Sequence, residues 1–152
     1  MKKSAIVTAV VLALSAGTAF ADKERDPNKQ AVKARKAAFT LMASNIAPIG
    51  AMAKGKKPFN QEEFAKRAAN LAALADMPWE FFIPGSNVGK SESKKAVWKN
   101  PEDFKKKTDE FKQEVAKLVE ASKGSDQEAM FKQVGATGKS CKSCHKEYKK
   151  DH

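Results

Sequence analysis

Apolar residues recur along most of the chain at alternating steps of three and four, the spacing that gathers them on one face of a helix. From Pro27 to about Ala53 the seam runs Val32, Arg35, Phe39, Met42, Ile46, Ile49 and Ala53. Pro27 suits a first helical turn, and Gly55 with Pro58 marks the end. Asn60 suits the cap of a second helix, with Glu63 three residues on. Phe64, Ala68, Leu71 and Ala75 form its seam, Leu74 widens it, and Pro78 stops it near Asp76. A third helix starts around Pro101, keeps Phe104, Thr108, Phe111, Val115, Leu118 and Ser122 in register, and ends at Lys123-Gly124. Ser125-Asp126-Gln127-Glu128 opens a fourth, running to about Lys149. Gly135 and Gly138 weaken its middle by about 1 kcal/mol each relative to alanine, so a loosened or broken centre is expected.

Residues 77–100 contain Pro78, Pro84, Gly85, Gly89 and several serines, and read as a long connection. Trp79, Phe81, Phe82 and Trp98 are too apolar for disorder, so this loop is expected to pack against something. No alternating apolar run suggests a strand. The pattern predicts an all-α fold, an antiparallel four-helix bundle with a long loop between helices 2 and 3.

The first residues belong to a different class. Met1-Lys2-Lys3 is a short positive region, Ser4 to Phe20 is almost wholly apolar or small, and Ala19-Phe20-Ala21 fits the rule for signal-peptide cleavage. The apolar run is shorter than the roughly 20 residues of a spanning helix, so residues 1–21 are expected to be cleaved and the mature protein to have no membrane span. Taking 21 from 152 residues leaves 131, residues 22–152, enough for one domain. The formal charge falls from +11 to +9 as Lys2 and Lys3 leave. Export and the dispersal of lysines among glutamates argue against nucleic acid as a partner. Lys54-Gly55-Lys56-Lys57 and Lys105-Lys106-Lys107 can steer an acidic redox partner.

The chemistry lies in Cys141-Lys142-Ser143-Cys144-His145, the c-type haem attachment signature. Two intervening residues bring both sulfurs to one porphyrin edge, and the next residue presents its imidazole to the iron as an axial ligand. Three other uses of these residues compete. A dithiol redox centre normally opens a helix after a strand, a context this chain lacks. A disulfide across two residues closes only a small ring. A zinc site of Cys141, Cys144, His145 and His152 has a spacing that fits no common pattern. One covalent haem c, held through Cys141, Cys144 and His145, is the expectation, and the aromatic inventory supplies the apolar pocket it needs.

A motif at the end of the last of four helices resembles the cytochromes c′, class II c-type cytochromes of bacterial periplasms. The resemblance rests on the segment from Arg35 to Ser44, the segment Met77 to Gly85, and the tail from Val134 through Cys141 to Lys149. It implies a haem lying between helices near one end of the bundle, with His145 as sole protein ligand to a five-coordinate, high-spin iron. Phe39, four residues after Arg35, then covers the distal face. Arg35 takes a place near the haem edge where it pairs with a propionate, and neighbouring Lys36 assists. Trp79 and Phe82 match loop aromatics that pack around the haem. Lys149 stands where many members have arginine beside the proximal face, and a lysine loses the planar fork. The resemblance also implies a homodimer through the first two helices.

The leading expectation is a periplasmic protein that binds nitric oxide and carbon monoxide and buffers nitric oxide. Phe39 offers no hydrogen bond to a bound ligand and discriminates by bulk. The alternative is low-spin electron transport between periplasmic redox partners with Met42, one turn further along the seam, as sixth ligand. A haem-free thiol oxidoreductase is the third reading. No catalytic triad, paired carboxylates or nucleotide loop is evident, so an enzyme is not expected.

Overall fold

The computed structural model describes residues 26–151, so the expected signal peptide and His152 lie outside the described residues. The long helices are α1 (Pro27–Ala53), α2 (Gln61–Leu74), α4 (Pro101–Ser122) and α5 (Gln127–Tyr148), with a one-turn helix α3 (Ala96–Lys99) before α4. Each of α1, α2 and α5 begins at a side chain that accepts otherwise unpaired backbone N–H groups. The Asp26 carboxylate accepts from Asn28 and Lys29, the Asn60 amide oxygen from Glu63, and the Asp126 carboxylate from Ala129. The Asn60 and Asp126 starts are those the sequence predicts. Helix α2 ends at Leu74, two residues before the expected Asp76, and the chain passes into turn geometry ahead of Pro78.

The four long helices form an antiparallel bundle in which α1 packs on α2 and α5, and α4 on α2 and α5. Ile49, Phe64, Leu71, Leu118 and Met130 form its buried centre. In α4 every seam residue is buried except Phe104, and in α1 Phe39, Ile46 and Ala53 are only partly covered. Ala31, Ala38, Asn45 and Met52 are buried in α1 besides the expected Val32, Arg35, Met42 and Ile49. The buried stripe is wider than a two-helix seam because α1 meets neighbours on two sides. Phe39, Ile46 and Phe104 are half-buried for a common reason: all three face one cavity.

Helix α5 is continuous through Gly135 and Gly138, contrary to the loosened centre expected from their propensity. Packing against α4 outweighs a local deficit of about 2 kcal/mol.

The loop is ordered by its aromatic residues. A 3₁₀ turn at Trp79–Phe81 follows Pro78, and the Trp79 indole N–H donates to the Ala75 carbonyl at 2.6 Å. The Trp98 indole N–H donates to the carbonyls of Phe82 and Ile83 at 2.9 and 3.1 Å. Gly85 adopts φ +80°, a region open to glycine at little cost. Beyond it the loop is strapped to the end of α5. Ser93 and Lys149 form an antiparallel bridge, the Lys94 amide donates to the Tyr148 carbonyl, and the Lys150 amide donates to the Glu92 carbonyl, both at 2.8 Å. Among the described residues, no helix is long and apolar enough to cross a membrane.

Candidate functional site

A cavity of about 410 Å³ opens between α1, α4, α5 and the loop, beside the middle turns of α1 and the last turns of α5. Helix α5 supplies one wall with Cys141, Cys144 and His145, which the i, i+3, i+4 spacing holds on one face. Helix α1 supplies another part of the lining with Phe39, Met42 and Ile46. Trp79 and Phe82 from the loop and Phe104 from α4 complete the aromatic lining. All nine residues expected at the site line the same cavity: Arg35, Lys36, Phe39, Trp79, Phe82, Cys141, Cys144, His145 and Lys149.

The aromatic wall has a definite order. Trp79 and Phe82 stack with ring centroids 6.2 Å apart, and Phe39 meets both edge-on, at 5.7 and 6.3 Å. Phe104 meets Phe82 at 5.0 Å and the Tyr148 ring at 5.1 Å. Tyr148 donates its hydroxyl to Asp103 at 2.5 Å, and burial followed by that carboxylate pushes its pKa well up. Met42 is buried in the core cluster and also lines the cavity.

Arg35 is 2% exposed. Its guanidinium donates to the Phe81 carbonyl and Ser86 hydroxyl through Nη1, and to the Ser86 carbonyl and Ser91 hydroxyl through Nη2, all at 2.7–2.8 Å. It also lies 4.7 Å from the Phe82 ring centroid. Every one of these partners is neutral, and desolvation lowers its pKa. A buried cation on a cavity wall with no carboxylate among its described partners is unusual.

Lys36 makes its own ion pair at the cavity. Its ammonium sits 2.9 Å from one oxygen of Glu92, while Lys149 sits 3.4 Å from the other. Glu92 thus ties α1 to the end of α5 across the cavity mouth. Glu92 and the two serines that receive Arg35 carry no signal in the sequence, because a loop has no periodicity to mark its inward positions. Phe104 was visible in the seam but not as a cavity residue.

The donor set discriminates among the chemistries open to two cysteines and a histidine. The cysteines form no disulfide. Burial raises both thiol pKa values, that of Cys144 to about 11. They lie in the last turns of a helix, where the dipole disfavours a thiolate. A dithiol redox centre needs the opposite. The His145 pKa is lowered by partial burial and then by the Lys149 ammonium, against the pull of Glu92, which favours a neutral imidazole able to bind a metal. Among the described residues, no group of three or more His, Cys, Asp and Glu side chains converges on a metal position, and His152 lies outside them. Two thiols and an imidazole on one wall, a largely apolar lining elsewhere and a buried guanidinium among the lining residues fit a haem with its carboxylate side chains.

Fold and site together define a four-helix-bundle c-type cytochrome. Residues 30–149 match the family model of cytochrome c′. Cytochrome c′ of Halomonas halodenitrificans is 37% identical over 127 residues, covering 80% of this chain and 96% of the relative. The solved cytochrome c prime from Shewanella frigidimarina is 45% identical, with a TM-score of 0.80 and coverage of 84% of this chain and 98% of that one. A nitric oxide complex of a variant cytochrome c prime from Alcaligenes xylosoxidans is 31% identical, with a TM-score of 0.77 and coverage of 82% and 97%. The chain belongs to the cytochrome c′ family, and its cofactor is covalently bound haem c.

Proposed function

We propose that the protein is a periplasmic, gas-binding cytochrome with one five-coordinate haem, taking nitric oxide and carbon monoxide and buffering nitric oxide. Cys141 and Cys144 hold the haem as thioethers, and His145 is its axial ligand. Arg35 supplies the charge opposite a propionate, which accounts for a buried cation whose described partners are neutral. When bound, the haem iron supplies an open coordination position for a diatomic ligand.

The observation that carries this reading is that Phe39 of α1 lines the same cavity as His145 of α5, braced by Trp79 and Phe82. Its ring excludes water by bulk and offers no hydrogen bond to a bound ligand. The nitric oxide complex of the Alcaligenes relative supports the ligand class. Residues 1–21 carry the expected export signal.

Met42 favours a second reading, since it reaches the same cavity: a low-spin electron carrier with methionine as sixth ligand. Optical spectra of the purified protein, oxidised, reduced and with carbon monoxide, separate the two. A high-spin spectrum that shifts promptly with the gas is expected. A methionine–iron charge-transfer band and indifference to carbon monoxide would replace gas binding with electron transfer.

A further inference from the structure

Among the described residues that line the cavity, Arg35, Lys36, Lys107 and Lys149 are cationic and Glu92 is the single carboxylate. Arg35 is occupied by neutral acceptors, and Lys107 donates to the Ser143 hydroxyl at 3.1 Å. Glu92 is therefore the one negative charge set against a cationic lining.

One Glu92 oxygen lies 2.9 Å from the Lys36 ammonium, and the other 3.4 Å from that of Lys149. The backbone fixes the carboxylate there. The Glu92 carbonyl accepts from the Lys150 amide at 2.8 Å, and Ser93 bridges to Lys149. Lys149, four residues beyond His145, donates its amide to the His145 carbonyl at 2.9 Å. Burial and then the Lys149 ammonium disfavour protonation of the imidazole, while the Glu92 carboxylate favours it. Both charges thus act on the axial ring.

We infer that Glu92 tunes the reduction potential of the haem downward, by offsetting the ammonium charges of Lys36 and Lys149 near His145. Ferric haem carries one more positive charge than ferrous haem. A carboxylate in its surroundings stabilises the ferric form, and an uncompensated ammonium destabilises it. The reaction concerned is the gain of one electron by ferric haem from an external donor, with no bond made or broken. Carbon monoxide binds the ferrous form, so Glu92 governs how much of the protein is ready for that gas at a given poise. The inference rests on haem attachment at Cys141 and Cys144 with His145 as axial ligand, and not on which gas is bound.

The test is an anaerobic redox titration of the haem-loaded protein, with dithionite as reductant and haem absorbance as readout. Glu92→Gln should raise the ferrous-to-ferric ratio at a fixed poise about three- to tenfold, tenfold being 59 mV for one electron. The three side chains are 35–44% exposed, so solvent screening keeps the shift within that range. Lys149→Gln should lower the ratio by a similar factor. The native triad has two lysines against one carboxylate, and the double variant keeps Lys36 alone, the same net charge. Its ratio should return to within about twofold of the native value, as should that of Glu92→Asp, which keeps the charge. Glu62→Gln, beside Gln61 and the Ser122 end of α4, is the distant control and should change the ratio by less than about 1.5-fold. An equally small shift in Glu92→Gln would overturn the inference. So would single variants that move the potential the same way, or a double variant displaced further than either, since both mark a loosened loop and not a lost charge. Failure of the haem assignment is distinguishable beforehand, because the protein would be colourless.

Discussion

The ring of Phe39 meets the indole of Trp79 edge-on, with centroids 5.7 Å apart, and Trp79 is itself fixed by its N–H bond to the Ala75 carbonyl. A second edge contact to Phe82 at 6.3 Å completes the brace. Each such contact is worth about 0.5–1.5 kcal/mol, so displacing the ring costs roughly 1–3 kcal/mol. Phe39→Ala should therefore accelerate carbon monoxide association with the ferrous protein by roughly five- to a hundredfold. Flash photolysis measures the rate directly. An unchanged rate would place the barrier elsewhere.

Arg35 fastens the loop to α1 through four hydrogen bonds over a span of 46 to 56 residues. Arg35→Met leaves two carbonyls and two hydroxyls short of a donor and should destabilise the haem-loaded protein by about 3 kcal/mol. Arg35→Lys should recover only part, since an ammonium cannot reproduce the planar fork. Urea unfolding gives both values. A loss below about 1 kcal/mol would show that the loop is held mainly by its aromatic residues.

The four long helices were legible because each buries one continuous stripe and carries its own stop signals. The haem-attachment motif was legible because its chemistry lies within five consecutive residues. Phe39 was readable as a seam residue, but its place in the cavity lining depends on a loop whose path the seam does not show. Glu92 was invisible, because its role comes from two lysines more than fifty residues away on either side. The Arg35 bonds to Ser86 and Ser91 are non-local in the same way. The expected break at Gly135 and Gly138 failed because propensity counts one helix alone, whereas α5 is held by its packing.

That failure has a measurable consequence. A methyl group added at Gly135 would meet nothing within 4 Å, and the residue is exposed in regular helix. Gly135→Ala should raise stability by about 0.5–1 kcal/mol without altering the haem spectrum. A destabilised variant in thermal unfolding would reveal a backbone requirement at this turn.

Tyr148 is the only tyrosine in the chain, so the phenolate difference absorbance near 295 nm belongs to it alone. Burial and the Asp103 carboxylate both favour the neutral phenol, raising its folded-state pKa above the ordinary value of about 10. The stability contributed by this difference is fully present below about pH 10 and is lost as pH rises towards the folded-state pKa. The phenolate signal should therefore stay silent through pH 10 and appear only together with loss of helical circular dichroism. Asp103→Asn removes the charge and should let the signal appear at lower pH. A phenolate that titrates near pH 10 while the helices stay intact would mean that the Tyr148 hydroxyl is open to solvent and not held by Asp103.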